Sequence, residues 1–138
     1  MAWQINETFI EDRITGGSQT SLEGADNVKM GLYTSATSPS GNNLVTSLTE
    51  VSGTGYTAGG ISAGTCTVSE AAGTVTFDSP ATFLWSENAA GFSNARYAVL
   101  YIVATNQIIA YEDMTTDQNN TAHDFEVVID AAGIFTAA

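Results

Sequence analysis

Apolar and polar residues alternate with a period of two along much of the chain. Val28, Met30 and Leu32 fall on one side and Lys29, Gly31 and Tyr33 on the other, which predicts a strand of about six residues. Arg96 to Ala104 carries the strongest pattern. Tyr97, Val99, Tyr101 and Val103 alternate with Ala98, Leu100 and Ile102, so both faces are apolar and the strand should lie centrally, covered on both sides. Thr105-Asn106 makes a turn, and Gln107 to Tyr111 returns as a hairpin partner. Ile61 to Val68 and Thr74 to Phe77 read as a second hairpin over Glu70-Ala71-Ala72-Gly73. Ala81 to Trp85, His123 to Ile129 and the ending Ile134-Phe135-Thr136 supply further strands, and Leu44 to Val51 is a weaker strand or short helix. Ser35 to Asn43, Gly53 to Gly60, Ser86 to Asn94 and the acidic stretch Glu112 to Ala122 read as loops. Roughly eight short strands and no convincing long helix predict an all-β fold, an antiparallel β-sandwich or jelly roll spanning 28–138.

Residues 1–27 follow another pattern. Trp3 and Ile5 alternate like a strand, and Asn6 is placed to cap a short helix with Phe9, Ile10 and Ile14 on its apolar face. Gly16-Gly17-Ser18-Gln19-Thr20-Ser21 then reads as a spacer. The segment is expected to be an extended N-terminal arm, with Trp3, Ile5, Phe9 and Ile10 as partner-binding anchors.

Composition narrows the function classes. Charged residues make up 13% of the 138, with 3 basic against 15 acidic, a net charge of −12. Nucleic-acid binding and anionic membrane binding both need clustered cations, and Arg13, Lys29 and Arg96 are scattered, so neither partner is expected. The polar surface comes instead from residues such as the 19 Thr, which suit strands. The single Cys66 excludes an intrachain disulfide and a cysteine-based zinc site. The N-terminus has neither a basic start nor an apolar run, so production in a host cytoplasm is expected.

Candidate chemistry is sparse. Gly91-Phe92-Ser93-Asn94-Ala95 comes near a nucleophile elbow, but the elbow needs a strand–turn–helix, and a β-strand follows here. His123, the one histidine, stands at a strand start with Asp124 projecting to the other face. Gly53-x-Gly55-x-x-x-Gly59 lacks the phosphate-loop spacing and its lysine; these glycines suit a tight turn or a close backbone approach. Asp117, Asn119 and Thr121 match the first positions of a calcium loop, yet Ala122 and Val128 occupy its glycine and glutamate positions. No catalytic residue, metal site or cofactor is therefore expected. Trp85, Phe92 and Tyr56 could form a sugar-stacking face, although their strand and loop positions suit core packing.

Several stretches carry a family likeness. They are Val28-Lys29-Met30-Gly31-Leu32-Tyr33-Thr34, then Thr49-Glu50-Val51-Ser52-Gly53-Thr54-Gly55-Tyr56-Thr57-Ala58-Gly59-Gly60, then Val75-Thr76-Phe77-Asp78, Ala95-Arg96-Tyr97-Ala98-Val99-Leu100-Tyr101, and Asp130-Ala131-Ala132-Gly133-Ile134-Phe135. Together they resemble the small structural proteins of tailed bacteriophages that act as capsid cement or decoration proteins. The resemblance implies a non-enzymatic virion protein on the capsid exterior. Its partners would be the major capsid protein and other copies of itself, as a homotrimer clamping adjoining capsid subunits. The alternative that the resemblance leaves open is a phage tail or fibre module that binds host-cell glycan through loop aromatics such as Trp85, Phe92 and Tyr56. The arm lies outside the resemblance, so its docking role is read from its residues alone.

Overall fold

A computed structural model describes residues 3–6, 9, 21–131 and 133–137. Among them are ten strands: β1 Gln4–Ile5, β2 Val28–Tyr33, β3 Ile61–Ser62, β4 Thr67–Ala71, β5 Thr74–Asp78, β6 Phe83–Trp85, β7 Ala95–Ile102, β8 Ile108–Gln118, β9 Phe125–Val127 and β10 Phe135–Ala137. The weak segment 44–51 holds a single 3-10 turn, Val45–Ser47. The chain is all-β, and every strand pairing is antiparallel.

Three sheets result. A five-stranded sheet has the order β1-β8-β7-β2-β3, a three-stranded sheet the order β10-β5-β4, and β6 pairs with β9. The doubly apolar strand β7 sits in the middle of the large sheet, where its pattern requires it. Its register with β2 runs without a break from Val28↔Ile102 to Tyr33↔Tyr97. One face of this sheet gives Met30, Leu32, Leu100 and Ile102 to the main core. They meet Phe77 from β5, Phe83 and Trp85 from β6, and Phe125 and Val127 from β9. Each of these large side chains contributes about 1.5–3 kcal/mol by leaving water. The opposite face carries Tyr33, Tyr97, Val99, Tyr101 and Tyr111 in a second cluster under Val45 and Leu48.

The structure departs from the sequence expectation in three places. The stretch 61–68 is not one hairpin strand. Gly64, at φ 67, turns the chain, so Ile61–Ser62 joins β2 while Thr67–Ala71 joins β5. The β4–β5 turn is only Ala72-Gly73, both left-handed at φ 50 and 81, the requirement of a tight two-residue hairpin. The third departure is the acidic stretch, of which Glu112 to Gln118 continues β8 rather than forming a loop. A register shift and Thr115 at φ 62 let this polar half follow β7 as far as Ala95↔Gln118.

The N-terminal segment is stitched to the body. Gln4 and Ile5 pair with Tyr111 and Ala110. Asn6 is fully buried; its Nδ2 donates to the Asn42 carbonyl at 2.7 Å, and its Oδ1 accepts the Phe9 N–H at 3.2 Å, as a helix N-cap does. Phe9 is 4% exposed and belongs to the main core.

Candidate interaction surfaces

The glycine-rich segment forms a closed clamp on the rim of the large sheet. Val51 N–H donates to the Leu32 carbonyl at 3.0 Å, and Thr34 N–H to that of Thr49 at 2.9 Å, which sets Glu50 opposite Tyr33. Glu50 Oε1 accepts the Tyr56 hydroxyl at 2.7 Å and the Gly59 N–H at 2.6 Å. Tyr56 Oη accepts the Leu32 N–H at 3.0 Å, and the Tyr101 hydroxyl donates to the Gly59 carbonyl at 2.7 Å. Gly60 has φ 79, and a β-carbon there would collide with the Met30 carbonyl; Gly53 abuts the Gly91–Phe92 backbone just as closely. Gly53 and Gly60 thus serve close backbone approach, whereas Gly55, at φ 85 with open space around it, serves the turn. Burial, reinforced by Glu50, drives the Tyr33 and Tyr56 phenols far above their ordinary range, and burial also raises Tyr101. All three are neutral at physiological pH, and Tyr56 and Tyr101 act there as hydrogen-bonding groups.

The other candidate groups are dispersed. Ser93 and His123 are both exposed, and no hydrogen bond links them to each other or to any other described side chain. Asp113 pairs with Arg96 at 2.6 Å on the β7–β8 ladder, which holds its carboxyl below the ordinary range; the Thr115 N–H adds to this. Asn119 Oδ1 accepts from Thr121, and Asp124 Oδ1 caps the Glu87 N–H at 2.7 Å. Among the described residues no group of three His, Cys, Asp or Glu side chains is arranged to hold a metal ion. No helix among them is long and apolar enough to cross a membrane.

The aromatics proposed to stack on glycan turn inward. Trp85 and Phe92 meet edge to face at 6.4 Å, and Tyr56 stacks on Trp85 at 6.3 Å. Trp85 is 3% exposed and Phe92 is fully buried, so these two belong to the core, and Tyr56 is half-buried against them.

Of the four arm residues, Phe9 is buried, and Ile5 and Trp3 pack against the core while keeping some exposure. Ile10 lies outside the described residues. Trp3 borders a recess of about 290 Å³ with Glu126, Val128 and Asp130. Its indole N–H is enclosed without an acceptor, so the ring is held there by packing.

What the sequence reading did not single out is the outward apolar set. Val128 is 63% and Leu84 42% exposed, both displayed by the β6–β9 pair and its continuation. Leu84 could have been found by alternation, since Phe83 and Trp85 on either side point inward. All five residues of β4 are exposed, and β4 is the outer strand of its sheet. The Val68 N–H on that edge is not spent on β5; it donates to Glu23 Oε1 at 3.2 Å. Val68 and Val75, both exposed, line an apolar groove of about 430 Å³ with Phe9, Leu22 and Phe77.

No family model, no curated protein sequence and no solved structure matches the chain.

Proposed function

We propose that this chain is a non-enzymatic structural protein of a virion, a two-layered β-sandwich or jelly roll. In this reading it docks on the outer capsid surface, joins other copies as a trimer and stabilises the shell. The observation that carries the reading is the exposed outer strand β4, whose flanking apolar residues Val68 and Val75 also face water. Among the described residues Glu23 covers this edge only at the Val68 N–H, and a strand edge left largely open beside exposed apolar side chains is a template for pairing with another chain. The acidic surface keeps free chains apart, so association depends on strand pairing and apolar burial at subunit junctions. Repetition over many sites then multiplies a modest contact into a stiffer shell. The likeness of the Glu50 to Gly60 segment to capsid cement proteins supports the same reading. A sheet on either side of the Phe77, Phe83, Trp85 and Phe125 core supports the sandwich.

The test is reconstitution. Purified chain is added to capsids that lack it, and the sedimented particles are assayed for bound chain. Saturable binding at a fixed ratio to the major capsid protein is expected, with free chain sedimenting at three times its 14.4 kDa mass. Chain that stays in the supernatant at every concentration would sink the capsid reading.

A further inference from the structure

We infer that the recess beside Trp3 receives an arginine side chain from a basic face of the partner. This rests on the docking reading above and names the chemistry of one contact in it.

The site is made where the N-terminal segment meets the end of β9. Trp3 leads into β1, and Glu126 and Val128, two residues apart, both face outward while Val127 between them is buried. The indole ring and the Val128 methyls give the recess apolar walls, the exposed Glu126 carboxylate gives it an anionic border, and Asp130, itself engaged elsewhere, completes the lining. Its volume of about 290 Å³ is open to solvent and has room for one long side chain. A group that fits must offer an apolar stem to the walls and a cation to the rim.

Guanidinium meets both demands better than ammonium. It is planar and weakly hydrated, it stacks on an indole face, and it presents paired N–H groups to a carboxylate. Charge complementarity selects the partner. The chain has 15 acidic and 3 basic residues, and Arg96 is already engaged by Asp113. A second copy brings the same net charge of −12, so the occupant comes from a different, cation-bearing protein surface.

The experiment follows the tryptophan indole N–H and valine methyl NMR signals of the intact chain. The probe is the peptide acetyl-Gly-Arg-Gly-Arg-Gly-amide; its control carries citrulline, a neutral isostere, at both arginines. The arginine peptide should move the Trp3 indole and Val128 methyl signals saturably and leave the core Trp85 indole in place. The citrulline peptide should move none of them. Glu126 is exposed, so Glu126→Gln leaves the fold intact, and it should weaken the peptide about threefold, as loss of a partly solvated ion pair does. Equal shifts with both peptides, or an unchanged affinity in Glu126→Gln, would overturn the assignment. Peptide binding without capsid binding overturns only the capsid reading; capsid binding by a chain indifferent to the peptide overturns only this one.

Discussion

Glu50 shows how one carboxylate organises a loop. Its Oε1 holds both the Tyr56 hydroxyl and the Gly59 amide, and Tyr56 in turn serves the Leu32 amide of β2. Tyr56→Phe leaves the Leu32 N–H without its acceptor and should cost about 1–3 kcal/mol, read as a lower urea midpoint at unchanged slope. The same phenols make the chain sensitive to alkali. Their folded pKa values lie above the ordinary phenol value of 10.0, so the stability they contribute is intact below that pH and falls as pH rises beyond it. Phenolate absorbance should therefore appear for Tyr33 and Tyr56 only as the chain unfolds. Asp113 has the opposite sign. Arg96 and the Thr115 amide lower its pKa from 3.8, so its contribution is present above that value and is lost as pH falls through the depressed one. Thermal melts of Asp113→Asn against the parent should differ at neutral pH and converge in acid; a gap that persists in strong acid would contradict the pairing.

At the scale of elements, β7 was legible because both of its faces alternate apolar residues, and β2 because Val28, Met30 and Leu32 keep strict period two. The outer half of β8 was not. Glu112 to Gln118 has no apolar alternation, and it is strand because it pairs with β7 across the register shift between Tyr97 and Ala95. The division of 61–68 between two sheets was equally hidden, since a left-handed Gly64 is visible only once both partners are in place. The glycine-rich segment stood out by composition, and close backbone approach was among its expected uses. Its clamp on Glu50 was not foreseen, because nothing in the spacing marks a carboxylate as its anchor. Gly60→Ala should strain a φ of 79 and push the loop off Met30, so amide exchange at Gly59 and Leu32 should accelerate together. Of the N-terminal segment, Gln4 and Ile5 pair with β8, and Trp3, Ile5 and Phe9 pack on the main core. Phe9→Ala should cost about 3–5 kcal/mol in thermal or denaturant unfolding, the usual loss for an aromatic removed from a core; a loss near zero would mean that Phe9 stands apart from the core.

For the whole molecule, the Thr- and turn-rich composition leads to the all-β class that the strands show, while nothing in the sequence gives the recess around Trp3. The surfaces left to a partner could not be read from sequence, because exposure of Val68, Val75, Leu84 and Val128 depends on how three sheets meet. Burial of Trp85 and Phe92 is likewise visible only in the assembled core, where neither ring faces outward. The account's central claim is that these outward features are occupied on a capsid shell. Its most direct test is a difference density map between particles carrying this chain and particles lacking it. The account predicts added density on the outer shell at capsid-subunit junctions, with β4 against a neighbouring chain. Density confined to the tail, or none on the particle at all, would contradict it.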